Sequence, residues 1–279
     1  MAFRTLTTLI HSETDQTGTL DASIDLARRL DAHLTVVLAG VNAVDPGVYY
    51  AGMNAVVLTT ALNDADAAVK DMADALKRRM AAEDITWDDV SFVTPSANVG
   101  HALVQRARFG DLTVLPQPYG KDAVSVDVGA LEAVLLDSAA PVLVLPTGAK
   151  TAAPPKNILL PWDQGAPAMA AARAAIPFMA EADEVLICVI DPPSHGPERS
   201  DPGGALAAFL SRHGAKVRIS VIPSSGQRIS DVIQSEAKSQ GSDMIVMGGY
   251  GHSRTRQYIL GGTTRRMLEH SPLPILMAH

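Results

Sequence analysis

Residues 243–266 read DMIVMGGYGHSRTRQYILGGTTRR. An apolar run, Met244-Ile245-Val246-Met247, stops at Gly248-Gly249-Tyr250-Gly251. Nine residues, His252 to Leu260, lead to a second glycine pair, Gly261-Gly262, which opens Thr263-Thr264-Arg265-Arg266-Met267-Leu268. The apolar run reads as a buried strand and the segment after the second pair as a helix. Strand, glycine-rich turn, basic loop and glycines at a helix start form a coherent phosphate-binding arrangement. Glycine lets the backbone approach an anion closely, and a helix N-terminus supplies unpaired N–H groups and a partial positive charge.

The rest of the chain repeats this plan. Gly110-Asp111-Leu112-Thr113-Val114-Leu115 matches Ser242-Asp243-Met244-Ile245-Val246-Met247 at an offset of 132, and Ala140-Pro141-Val142-Leu143-Val144-Leu145 matches Leu273-Pro274-Ile275-Leu276-Met277-Ala278 at 133. Earlier, Leu34-Thr35-Val36-Val37-Leu38 matches Val185-Leu186-Ile187-Cys188-Val189 at 151. The offset falls by about 19, so the first copy carries roughly that many extra residues after its second strand. Between the copies, Pro146 to Pro155 has a linker composition. The expected domains are 1–147 and 156–279.

In the second copy Asn157–Pro161, Glu184–Ile190, Lys216–Ile222, Asp243–Met247 and Pro274–Ala278 read as strands. Ala166–Glu181, Pro202–His213, Ile229–Ser239 and Thr263–His270 read as helices. Strands alternating with helices, and apolar without interruption, indicate a parallel sheet covered on both faces. The fold class is therefore α/β: two tandem units, each a five-stranded parallel open sheet with helices on both faces. Ligands of such sheets bind beyond the carboxyl ends of the strands, where the winding direction reverses. With the first and fourth strands flanking that point, Pro161-Trp162-Asp163 and Gly248 to Gly251 meet there. Asp163 suits hydrogen bonding to a ribose or a metal on phosphates, and equally the capping of the next helix.

These residues resemble the universal stress protein family in its tandem form. Its nucleotide-binding members carry G-x-x-G, nine residues, then G-[S/T] after the fourth strand. Gly248, Gly251, the nine residues 252–260 and Gly261 match at that spacing, and Pro161-x-Asp163 and Leu273-Pro274-Ile275-Leu276 also fit. The resemblance implies Rossmann-like (adenine nucleotide alpha hydrolase-like) units and ATP or AMP, with or without Mg²⁺, in the second copy. The implied binding residues are Pro161, Trp162, Asp163, Val189, Met247, Gly248, Gly251, His252, Gly261, Gly262 and Thr263. It also implies pairing of the two repeats through their last strands, the first repeat replacing the partner subunit of a homodimer. One departure stands out: Gly262 occupies the position of the family's Ser or Thr, removing one side-chain hydrogen bond to phosphate.

The first copy departs further. Pro116-Gln117-Pro118-Tyr119 stands where Gly248 to Gly251 stand in the second, and two prolines remove N–H donors. The later glycine pair is reduced to Gly129, and Leu9-Ile10-His11 ends in no aspartate. This copy is expected to hold no ATP.

Composition bounds the function classes. The 279 residues suffice for two domains, and 47% hydrophobic with 19% charged residues is globular. A net charge of −7 argues against general nucleic-acid affinity. Residues 1–150 hold 11 Lys and Arg against 19 Asp and Glu, whereas 151–279 hold 12 against 11, so the glycine-bearing half tolerates an anion better. No run approaches the roughly 18–20 apolar residues of a membrane span. The start, Met1 to Leu6, carries no leader-like apolar segment. The single cysteine, Cys188, lies in an apolar run and reads as an inert core thiol in a reducing compartment, with cytoplasm the expectation.

No catalytic or metal-ligating residue is assigned. The chain lacks a G-x-S-x-G elbow, a complete P-loop, H-E-x-x-H and C-x-x-C. Arg254 and Arg256 read either as phosphate partners or as solvated loop charges. His252 reads as a phosphate donor or a turn residue, and Trp162 as a base-stacking or a packing side chain. The Tyr49-Tyr50 segment of the first copy reads as an inter-repeat contact or the cover of a cleft. The leading expectation is a non-catalytic, adenine-nucleotide-binding stress-response protein. A nucleotide-independent interaction scaffold with a vestigial site and a slow ATPase are the alternatives, and further association of two chains is left open.

Overall fold

The computed structural model describes residues 3–11, 17–42, 55–119, 124–149, 154–192, 200–250 and 262–279. By tertiary contacts it divides into two compact units, one of residues 3–140 and 148–152, the other of 141–147 and 153–279.

The first unit contains β1 (Thr5–His11), α1 (Thr17–Leu30), β2 (His33–Asn42), α2 (Ala55–Met80), β3 (Trp87–Pro95), α3 (Val99–Ala107), β4 (Leu112–Pro116) and α4 (Ser125–Ala133). Its strands run in the order β3-β2-β1-β4, and β1 pairs in parallel with both β2 and β4. The helix α2 presents Ala65, Val69, Leu76 and Met80 to the core and exposes most of the residues between them. That is the amphipathic reading of Asp64 to Arg79, with a solvated outer face.

The second unit contains β5 (Val142–Leu145), β6 (Asn157–Pro161), α5 (Ala166–Ala174), α6 (Ile176–Met179), β7 (Glu184–Ile190), α7 (Gly204–Arg212), β8 (Val217–Ile222), α8 (Ile229–Ser239), β9 (Met244–Gly248), α9 (Gly262–His270) and β10 (Ile275–Ala278). Its strands run β5-β10-β9-β6-β7-β8. All neighbours from β10 to β8 are parallel, whereas β5 lies antiparallel to β10, with Leu143 opposite Leu276. The last strand of the first sequence copy thus sits in the sheet of the second. Both strands of that pair are buried at every position, as strands covered on both faces are.

The repeated aspartates have a definable task. Asp111 accepts hydrogen bonds from the amides of Arg4 (2.7 Å) and Thr5 (2.9 Å), where β1 begins. Asp243 does the same for Lys156 (2.9 Å) and Asn157 (3.2 Å), where β6 begins. Each fourth strand thereby fixes the entry to its first strand and sets the register in which the two lie side by side.

One expected element is divided. The helix read over Ala166–Glu181 is two, α5 and α6, because Pro177 supplies no N–H and lies at the start of a new helical turn after Ala175. Likewise the helix read from Pro202 begins at Gly204, behind Gly203 at φ +85°, a left-handed conformation that glycine adopts without strain. Among the described residues no helix is long and apolar enough to cross a membrane.

Candidate functional site

In the second unit the chain leaves β6 for β7 on one side and later returns to β9 on the other, so the winding direction reverses between β6 and β9. A cleft of about 260 Å³ lies at the carboxyl ends of these strands. Pro161, Trp162 and Asp163 line it from β6, Cys188 and Ile190 from β7, and Met247 and Gly248 from β9. Pro167 and Ala168 of α5, Ile229 and Ile233 of α8, and Thr263 of α9 complete it. The volume is close to the lower end of ligand pockets, roughly 300–1,000 Å³.

Each wall follows from local geometry. The amide of Trp162 donates to the carbonyl of Cys188 (2.9 Å), which carries the β6–β7 ladder one residue past Pro161. The chain then turns through Gln164 at φ +62° into α5. Oδ1 of Asp163 accepts a hydrogen bond from the amide of Gly165, the residue before α5 (2.8 Å), so the carboxylate closes the turn that leads into that helix. The indole of Trp162 is 9% exposed, and its Nε1 is buried with no hydrogen-bond partner among the described residues. A buried donor left unpaired costs roughly 1–3 kcal/mol.

The glycine turn is built differently from its sequence appearance. Among described residues after β9 the left-handed conformation falls on Tyr250, at φ +62°. Gly248 is required for a different reason: a Cβ there would lie 2.5 Å from the Ala168 amide nitrogen and 2.6 Å from the Pro167 carbonyl carbon. Gly249 extends the pairing of β9 with β10 through its amide, which donates to Ala278 (2.9 Å). Gly262 begins α9 exposed, with no heavy atom of the described residues within 4 Å of where its Cβ would be.

Of the residues expected from the sequence, Pro161, Trp162, Asp163, Met247, Gly248 and Thr263 come together around the cleft. Gly262 immediately precedes Thr263 at the start of α9. The side chain of Val189 is buried and lies near Gly203, away from the cleft wall that its neighbours Cys188 and Ile190 form, as strand alternation requires. Gly251, His252 and Gly261 lie outside the described residues, as do Arg254, Arg256 and the segment 48–54. Sequence reasoning missed Ile229 and Ile233, whose i, i+4 spacing on α8 was the available signal.

The charge pattern is simple. Burial, and then the negative charge of Glu236, pushes the Cys188 thiol up to about 12, so at neutral pH it is an uncharged wall. Arg265 bonds to Glu269 one turn later (2.8 Å). The amide of Ser224 donates to Asp191 (2.9 Å), so the Ser224-Ser225-Gly226 turn already has an internal carboxylate. The cleft offers an apolar slot between Ile190, Ile229, Ile233 and Met247, with Asp163 and Thr263 as its polar residues.

Residues 155–279 match the model of the universal stress protein family. This part of the chain belongs to that family. A universal stress protein from Archaeoglobus fulgidus DSM 4304 has a similar structure, at TM-score 0.71 and 13% identity, covering 98% of this chain and 97% of its own. A functionally unknown protein from Pseudomonas aeruginosa PAO1 is similar at TM-score 0.58 and 15% identity, covering 99% of this chain and 92% of its own. At these identities the likeness is one of fold, and it extends over the first copy as well. No curated protein sequence matches the chain significantly.

Proposed function

We propose that this chain is a tandem universal stress protein that binds one adenine nucleotide, ATP or AMP, in the cleft of its second copy and does no chemistry on it. The observation that carries this reading is the convergence of six of the expected binding residues on one cleft at the point where the winding reverses. The base lies in the slot of Ile190, Ile229, Ile233 and Met247, and Asp163 accepts hydrogen bonds from the ribose. The phosphates, with or without Mg²⁺, lie toward Gly262 and Thr263 at the start of α9, with Gly251, His252 and Gly261 completing their cradle. Residues 1–147 form a repeat without nucleotide, and 156–279 the binding repeat. The first repeat acts as a built-in partner through β5 and β10, the protein works in the cytoplasm in response to stress, and two chains are able to associate further.

A second reading has one observation in its favour. The close approach of Gly248 to α5 explains that glycine by packing alone. An interaction scaffold with a vestigial site would therefore keep it.

Analysis of small molecules released on denaturing the purified protein, followed by ATP titration with and without Mg²⁺, separates the two. Copurified nucleotide, or saturable binding of one equivalent, supports the proposal; neither, at millimolar ATP, supports the scaffold. Phosphate release that depends on Asp163 would instead indicate a slow ATPase.

A further inference from the structure

In the first unit His11 ends β1 and Asp127 lies in the first turn of α4, and Nε2 of His11 stands 2.9 Å from Oδ1 of Asp127. Both side chains are buried, that of His11 completely. The strand registers identify the counterpart of His11 in the second unit. Leu6 lies beside Leu112 on β4, and Ile158 lies beside Met244 on β9. The same number of residues further along each first strand stand His11 and Asp163.

The two units therefore treat one position in opposite ways. In the second, the end of β6 and the start of α9 both line the cleft, through Asp163 and Thr263. In the first, the end of β1 and the first turn of α4, the helix between its fourth strand and β5, are joined directly by imidazole and carboxylate. At the offset of 132 that relates the fourth strands, Thr263 corresponds to Leu131, and Asp127 corresponds to residue 259, outside the described residues. A carboxylate of the chain itself at the start of α4 answers the field that would favour an external anion. Pro116 and Pro118 remove two amide donors from the loop after β4.

We propose that the His11–Asp127 pair is the first unit's own occupant of the position a ligand takes in the second, which limits the chain to one nucleotide. This rests on the nucleotide reading of residues 156–279. The pair holds the end of β1 against α4, and the space between them is closed to a ligand.

Hydrogen exchange of the full chain, read by mass spectrometry, tests this with His11→Ala, Asp127→Ala and the double variant. Exchange at the end of β1 and in the first turns of α4 is expected to rise about tenfold or more in each single variant, the ratio a hydrogen bond to a charged group supports. The double variant should exceed either single by no more than about twofold, because both remove one shared interaction. Exchange in β9 and α9 should not change. His11→Gln, which keeps a donor, should restore most of the protection; it carries the test if an alanine variant fails to fold. Unchanged exchange in these segments, multiplicative effects in the double variant, or no rescue by glutamine would overturn the proposal. So would a wild-type chain that binds two equivalents of ATP. A wild-type chain that binds none defeats the nucleotide reading, and with it the ligand half of this proposal, while the exchange pattern still decides whether the pair closes the unit.

Discussion

Gly248 abuts Ala168: a Cβ on Gly248 would lie 2.5 Å from the Ala168 amide nitrogen, with Pro167 almost as near. The obstacle is backbone, so rotating a side chain cannot relieve it. Gly248→Ala must displace either β9 or the first turn of α5, and overpacking of this kind costs about 1–3 kcal/mol. Urea denaturation should show that loss. Nucleotide affinity should fall in the same variant, because Gly248 and Ala168 are both walls of the cleft.

Gly262 is the opposite case. Among the described residues nothing lies within 4 Å of its Cβ position, and it is exposed at the helix start. Gly262→Ser should leave stability within about 0.5 kcal/mol of wild type, as surface changes do. It restores the hydroxyl whose place glycine takes, and one added hydrogen bond contributes about 1 kcal/mol. Calorimetric titration with ATP should show roughly fivefold tighter binding.

Asp163 has two assigned roles that one pair of variants separates. Its bond to the Gly165 amide is open to an asparagine oxygen as well, so Asp163→Asn should keep the turn before α5 intact, whereas Asp163→Ala should lose about 1 kcal/mol, the contribution of one hydrogen bond. If the carboxylate also receives ribose hydroxyls, Asn weakens nucleotide binding with stability unchanged. Thermal unfolding and titration of the same samples report the two effects separately.

Cys188 gives a pH dependence of defined sign. Its thiol is pushed from the ordinary value of 9.0 up to about 12, by burial first and Glu236 second. Below about pH 9 native and unfolded chains both keep the proton, and the group adds no pH dependence. Between about 9 and 12 the unfolded chain holds fewer protons, so stability falls as pH rises. At pH 8 a thiol reagent should label Cys188 far more slowly in the native protein than in denaturant.

How much of this was legible in the sequence depended on whether the signal was local. Asn157–Pro161 and Glu184–Ile190 were found at their observed bounds, because parallel strands covered on both faces appear as unbroken apolar runs. The same lack of alternation hid the phase of β7. Val185 to Val189 are all buried, so the run itself did not reveal that Cys188 and Ile190 face the cleft while Val189 does not. The alanine-rich run after Gly165 concealed the interruption at Pro177. Asp127 lies 116 residues from His11, and no spacing rule connects them; the end of β1 read only as a place without an aspartate. Gly248 was legible as a special position, but its closeness to Ala168 needed the packed structure.

One adenine nucleotide in the cleft between β6, β9 and α8 would touch the methyl groups that line it. Methyl-resolved NMR of the full chain during ATP titration reads that contact. Saturable shifts are expected at Met247, Ile190, Ile229 and Ile233, ending at one equivalent, with Ile10 and Ile24 of the first unit unmoved. Methyl signals unchanged at millimolar ATP, or shifts confined to the first unit, would contradict binding in this cleft.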